Sequence, residues 1–121
     1  MDVFVFGSNL AGRHGKGAAL YARQHHGAVY GQAEGLQGSS YAIPTKDERL
    51  VALPLSAINL YVSRFLWFAE QHPEMRFKVT AVGCGLAGYQ PCYIAPMFSV
   101  VPPNVDLPEE FLSFLQGMCD E

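Results

Sequence analysis

The sequence has few cysteines and few charged residues. Its 121 residues include three cysteines, and Asp, Glu, Lys and Arg together make up 16% of the chain. Cys84, Cys92 and Cys119 are too few and too far apart for a secreted disulfide scaffold or a structural zinc site. Half of the residues are apolar, which is the composition of a globular protein and excludes a disordered one. We expect one domain over residues 1–121.

An excess of positive charge is also missing. The net charge is −3 and the isoelectric point is near 5.7, which argues against a general nucleic-acid-binding protein. No apolar stretch approaches the roughly 20 residues of a membrane span, and the residues after Asp2 do not have the pattern of a signal peptide. We therefore expect a cytoplasmic protein without a membrane partner. The four histidines lack metal-ligand spacing, so we expect neither a metal nor a cofactor.

Glycine is abundant, and it is concentrated after two apolar segments. The apolar residues 3–6 lead into residues 7–19, GSNLAGRHGKGAA. A buried strand that enters a glycine loop and then a helix leaves free N–H groups at the first helical turn, a site suited to phosphate. A second glycine loop, residues 83–88, follows the apolar residues 77–82. We expect both loops to face one cleft that binds a phosphorylated, nucleotide-like ligand.

The order of apolar and polar segments predicts an α/β fold. Unbroken apolar runs at residues 2–6 and 77–82 are typical of strands buried on both faces. Shorter strands are expected at 28–30, at 41–44 and at Val105, with a loop over 31–40. Helices are expected at residues 17–26 and 91–98 and from residue 106 onward. The clearest helix is expected at residues 56–71, where apolar residues from Ile58 to Ala69 repeat at i, i+3, i+4 and i+7. Together these elements predict three layers, a small and mostly parallel sheet flanked by helices.

Asn9 is the first candidate for chemistry. It comes just past the carboxyl end of the first strand, where open α/β sheets place their ligands. Its carboxamide both donates and accepts hydrogen bonds, which suits a ribose or an attacking water. The alternative is that Ser8 and Asn9 form an Asx turn that only shapes the loop. Both interpretations are open at this point.

The second glycine loop spells G-x-G-x-x-G, the pattern of a dinucleotide-binding domain. The helix after it is short and begins only near Pro91, so we reject a dehydrogenase and retain a phosphate-binding loop. Cys84 lies in this loop as a nucleophile would, with His14 as a conceivable base, although a small residue that fits is the simpler explanation. Tyr41 and Tyr89 flank the loops, where they either stack on a base or sugar or pack in the core.

Taken together, these residues resemble a compact macro domain of the bacterial or phage type, the ADP-ribose-binding fold. The resemblance covers roughly residues 3–98 and includes a strand that ends in Pro44 between the two loops. It implies that Asn9 and the first loop lie by the distal ribose, and that the second loop wraps the diphosphate. The ligand-binding residues expected from the two loops and from this resemblance are Gly7, Ser8, Asn9, Gly15, Lys16, Gly17, Ala18, Gly83, Cys84, Gly85, Leu86, Ala87, Gly88 and Tyr89.

The chain also departs from the macro-domain pattern. The family's N-A-A-N is replaced by residues 7–10, GSNL. The N-terminal strands that carry the adenine-recognising acid have no counterpart, and Asp2 cannot be matched to that acid. The resemblance therefore implies ADP-ribose or a related phosphorylated nucleotide and leaves the base open.

Three functions remain open from the sequence. One is an ADP-ribosyl hydrolase in which loop amides hold the phosphates while Asn9, the expected catalytic residue, orients a water near the anomeric carbon. The second is a non-catalytic module that binds a nucleotide signal, because the sequence offers no convincing general base. The third is a Cys84-dependent hydrolase or transferase. The sequence alone does not decide between them, and it does not give the oligomeric state or the pathway.

Overall fold

A computed structural model describes residues 1–119, and it has the predicted α/β class. Five strands form one sheet, and helices pack on both of its faces. In chain order the elements are β1 (Asp2–Asn9), α1 (Gly17–His25), β2 (Gly35–Gln37), β3 (Ser40–Lys46), α2 (Leu55–Gln71), β4 (Arg76–Val79), α3 (Pro91–Ile94), a 3-10 turn (Ala95–Phe98), β5 (Val105–Asp106) and α4 (Glu109–Cys119). Within these residues no helix is both long enough and apolar enough to cross a membrane.

The sheet has the strand order β2-β3-β1-β4-β5. All neighbouring pairs are parallel except β2 and β3, which form an antiparallel pair at one edge. The central strand β1 pairs with β3 from Phe4↔Ser40 onward and with β4 from Asp2↔Arg76 onward. Because parallel strands point the same way, the carboxyl ends of β1, β3 and β4 meet at one edge of the sheet, where α/β proteins bind their ligands.

Alternating side chains of β1 enter two different cores. Val3 and Val5 are fully buried in the larger core, which α2, the 3-10 turn and α4 complete. Phe6 is fully buried on the opposite face, in a smaller core with Ala19 and Ala22 of α1. The α2 residues of the larger core repeat at helical spacing, as the sequence predicted: Ile58, Val62, Phe65 and Ala69. The expected three layers, with a mostly parallel sheet between helices, are confirmed.

Two expectations for residues 28–40 are wrong. Residues 28–30 form no strand; instead the Val29 N–H donates to the side-chain Oε1 of Gln37 at 2.7 Å. The expected loop contains strand β2, which turns into β3 through a two-residue hairpin loop, Gly38-Ser39. Gly38 has a φ of +60°, a conformation that favours glycine in such tight hairpins. The β-propensity of residues 28–30 does not show that the Val29 amide bonds a side-chain carboxamide instead of a neighbouring strand, and this explains why the expected strand is wrong.

The strand boundaries near the glycine loops also differ from those expected. β1 continues to Asn9, so Gly7 and Ser8 lie in the strand rather than in a loop, whereas β4 ends at Val79. Gly7 fits there because the chain approaches β3 closely: a Cβ at Gly7 would lie 3.2 Å from the Thr45 Oγ1. The glycine therefore serves strand packing as well as access to the cleft.

Candidate functional site

A cleft of about 670 Å³ lies at the carboxyl edge of the central strands, a size typical of small-ligand sites. It is lined by residues from the end of β1, the first glycine loop and the start of α1, and by residues 80–83 and 85–87. The two glycine loops thus face one cleft. The predicted ligand-binding residues that line it are Gly7, Ser8, Asn9, Gly15, Lys16, Gly17, Ala18, Gly83, Gly85, Leu86 and Ala87.

Three predicted ligand-binding residues do not line this cleft. The Tyr89 hydroxyl donates to the Leu53 carbonyl at 2.6 Å, so the ring is part of the packing between loop and core. The Gly88 N–H donates to the Gly85 carbonyl at 3.0 Å and closes the turn of the loop. Cys84 is half-buried and packs against the larger core. Tyr41 is likewise buried in the larger core rather than placed on the cleft.

Asn9 ends β1 with a buried side chain, 4% exposed. Its Nδ2 donates to the Arg13 carbonyl at 2.9 Å, and its Oδ1 accepts from the Arg13 N–H at 3.0 Å. The carboxamide therefore closes the first turn of the glycine loop. An amide group has a second hydrogen and a second lone pair, so Asn9 can contact a ligand while it keeps both bonds to Arg13.

The backbone N–H groups at the start of α1 have no hydrogen-bond partner among the described residues, and the residues that carry them line the cleft. Lys16 is the N-cap in extended conformation, and no side chain of the described residues caps this helix. The first amide bonded within the helix is that of Leu20, which donates to the Lys16 carbonyl at 3.2 Å. Gly17, Ala18 and Ala19 precede it and line the cleft. Their amides and the positive end of the helix dipole favour an anion here.

The second loop offers a matching set of amides. Its backbone bonds involve the N–H groups of Cys84, Gly88 and Tyr89, whereas those of residues 85–87 have no backbone partner among the described residues. Residues 85–87 line the cleft. Leu86 is 63% exposed and reaches toward the first loop, since a Cβ at Gly17 would lie 3.6 Å from the Leu86 Cδ1. The two glycine loops therefore come close to each other at Gly17 and Leu86.

The ionised side chains around the cleft are all cationic. Arg13, Lys16 and Lys46 line it, and no described carboxylate does. The Asp47 side chain instead accepts from the backbone amides of Arg49 and Val51, at 2.8 and 3.0 Å, and holds the turn after β3. A chain with a net negative charge thus has a locally positive cleft, which attracts anions.

The geometry does not bring Cys84 and His14 together. His14 is fully buried beside Phe6, on the α1 side of the sheet, and Cys84 packs on the opposite side. The His14 Nε2 lies 3.0 Å from the Gln32 carbonyl and 3.1 Å from the Gln37 Oε1. Because both partners are acceptors, Nε2 carries the hydrogen. Burial, helped by the charge of Glu110 and by Cys92, raises the pKa of the Cys84 thiol, which disfavours the reactive thiolate.

Several residues that line the cleft are not among the predicted ligand-binding residues. They fall mainly at strand ends and on connecting turns: Arg13, Ala19, Tyr30, Thr45, Lys46, Leu50, Thr80, Ala81 and Val82. The lining residues after β3 and β4 could have been predicted from the rule that the carboxyl ends of parallel strands meet at one edge of the sheet. Tyr30 had no such signal, because it lies on a turn that the sequence suggested was a strand.

Comparison of the chain with protein-family models, with curated proteins and with solved structures gives no match. The fold and the cleft define its class in structural terms, as a three-layer α/β protein with an amide-lined, cationic cleft at the carboxyl edge of the sheet.

Proposed function

We propose that the cleft binds a phosphorylated nucleotide-like ligand, with ADP-ribose as the form implied by the resemblance to macro domains. One observation carries the proposal: two segments whose backbone N–H groups have no backbone partner among the described residues, the start of α1 and residues 85–87, line the same cleft. Each segment alone suits a single anionic group. Two such segments in one cleft suit a ligand with two linked phosphates, such as a nucleoside diphosphate sugar.

The cationic side chains support the same ligand class. Arg13, Lys16 and Lys46 provide positive charge, and a phosphate between them and the loop amides receives charge-assisted hydrogen bonds. The volume of about 670 Å³ accommodates more than a single phosphate ion. We therefore favour an organic phosphate over inorganic phosphate as the ligand.

Binding without catalysis is the activity that the lining favours. The described residues that line the cleft include no carboxylate and no histidine to act as a general base. The second candidate is hydrolysis of an ADP-ribosyl bond, supported by the Asn9 carboxamide at the floor of the cleft, with its unused hydrogen and lone pair. Multiple turnover on an ADP-ribosylated substrate, lost in Asn9→Ala, would favour hydrolysis; single-site binding without turnover would favour a binding module.

The test is calorimetric titration of the purified protein with ADP-ribose, NAD, AMP and inorganic diphosphate, together with thermal unfolding. A ligand at a hundredfold excess over its Kd stabilises the native state by about 2.7 kcal/mol. We expect Lys16→Gln and Lys46→Gln each to weaken binding by roughly two- to fivefold, the value of one exposed charge contact.

Arg49→Gln is the matched control, since Arg49 is exposed and does not line the cleft but the substitution removes the same charge. Absence of binding by all four compounds would overturn the proposal. An equal loss in Arg49→Gln would show that overall charge, rather than the cleft, determines affinity.

A further inference from the structure

Tyr30 is a large aromatic residue that the fold leaves in solvent at the cleft. Its side chain is 56% exposed, it belongs to neither core cluster, and it lines the cleft. Its hydroxyl can donate one hydrogen bond to a phosphate, but that contact does not use the exposed aromatic ring. The placement of the ring therefore has no explanation in core packing.

The backbone on both sides of Tyr30 is fixed. The Val29 N–H donates to the Gln37 side chain at 2.7 Å, and the Gln32 N–H closes a turn onto the Val29 carbonyl at 3.0 Å. The Gly31 N–H donates to the Gly12 carbonyl at 2.8 Å and ties the turn to the first glycine loop. An aromatic ring on so constrained a turn is pre-organised, which reduces the entropy that binding would cost.

One side of the Tyr30 ring is already occupied. The Arg23 guanidinium carbon lies 5.1 Å from the ring centroid, a cation–π distance. Arg23 does not line the cleft whereas Tyr30 does. Because Arg23 already contacts one face of the ring, a planar group of a ligand in the cleft would stack on the other face.

We infer that Tyr30 is a stacking platform for the planar base of the ligand. The inference rests on the proposed function and extends it: the loop amides and cations hold the phosphates, and the free face of Tyr30 holds a nucleobase. Stacking on an aromatic face tolerates different bases, because every base has such a face. The site therefore selects nucleotides over base-free sugar phosphates without selecting strongly among nucleotides.

The experiment compares ligands with and without a base. ADP-ribose and AMP carry one; ribose 5-phosphate and inorganic diphosphate do not. We expect Tyr30→Ala to weaken binding of the first two by roughly tenfold, the scale of one base stacked on an aromatic ring, and to leave the other two unchanged. Tyr30→Phe keeps the ring and is expected to bind all four as the unmodified protein does.

Tyr93→Ala is the matched control, since Tyr93 is 55% exposed and does not line the cleft. If Tyr30→Ala binds ADP-ribose as tightly as the unmodified protein, or weakens all four compounds equally, the stacking platform is overturned while the phosphate site stands. If the unmodified protein binds none of the four, the proposed function and the platform both fail.

Discussion

Gly12 determines how the first glycine loop and the Tyr30 turn fit together. It has a φ of +68°, and a Cβ at this position would lie 2.4 Å from the carbonyl carbon of Gly31. No side chain can occupy that space, so the two backbones touch directly. Gly15, three residues later in the same loop, has no neighbour within 4 Å of such a Cβ. Two glycines that look equivalent in the sequence therefore have different roles.

We expect Gly12→Ala to lower the free energy of unfolding by about 2–4 kcal/mol. Left-handed backbone costs a residue with a Cβ about 1–2 kcal/mol, and displacement of the Gly31 backbone adds to it. Urea unfolding followed by circular dichroism measures the loss. Gly15→Ala is the control, with an expected change within about 0.5 kcal/mol. Equal stability of the two variants would contradict the close contact.

At the level of the element, the junction between α2 and β4 depends on one side chain. The Asn104 Nδ2 lies within hydrogen-bond distance of three carbonyls, those of Ala69 at 3.0 Å, His72 at 2.9 Å and Met75 at 3.1 Å. These carbonyls belong to the last turn of α2 and to the segment before β4. A buried carboxamide thus satisfies the helix end and fixes the entry of β4 into the sheet.

We expect Asn104→Asp to destabilise the protein by about 3 kcal/mol, because a carboxylate removes the N–H donor and places negative charge against the carbonyls. Asn104→Ala is expected to cost less, about 1–3 kcal/mol, since it only leaves the carbonyls unpaired. Chemical denaturation gives both values. Asn59→Asp makes the same change on the exposed surface of α2, and a comparable loss there would refute the specific role of Asn104.

Elements with a periodic apolar face were predictable from the sequence, and elements built by side-chain hydrogen bonds were not. The sequence predicts a helix over residues 56–71 because apolar residues repeat there at helical spacing, and the structure buries Ile58, Val62, Phe65 and Ala69 at that spacing. Strand β2 was missed because Gln37 bonds the Val29 amide and lies beside a tight Gly38 turn. Local sequence carries the first kind of information, whereas the second depends on which segments the fold brings together.

The candidate site divides in the same way. Both glycine loops were predictable because each is a cluster of glycines directly after an apolar segment, which is a local feature of the sequence. Lys46 and Thr80 line the cleft only because β3 and β4 flank β1 in the sheet, and strand order is not encoded in any one segment. Cys84 was predicted to contact the ligand because it lies in the second glycine loop, but its side chain packs against the larger core.

At the scale of the whole molecule, the charge distribution opposes the net charge. The chain carries −3 overall, yet the ionised groups at the cleft are three cations. An anionic ligand is therefore attracted at short range and repelled weakly at long range. Salt weakens the attraction between the ligand and the cleft cations only at high concentration, where the Debye length falls to a few ångströms.

We expect the Kd for an anionic ligand such as ADP-ribose to rise about three- to tenfold between about 0.05 and about 0.5 M sodium chloride. Titration at several salt concentrations provides the slope of log Kd against log salt. Lys46→Gln should give a shallower slope, because one cation is gone, whereas Arg49→Gln should retain the original slope. A Kd independent of salt would contradict an electrostatic contribution from the cleft.

The central position of β1 has a consequence for how the chain acquires its structure. The strand precedes its partners in the chain, and they are distant: Phe4 pairs with Ser40, and Asp2 pairs with Arg76. On the ribosome, the apolar residues 3–6 therefore have no strand partner until β3 has emerged, and they lack their second partner until β4 follows. Long-range parallel pairing of this kind slows folding and exposes nascent chains to aggregation. We therefore expect the yield of folded protein during synthesis to depend on chaperones that cover the apolar residues of β1.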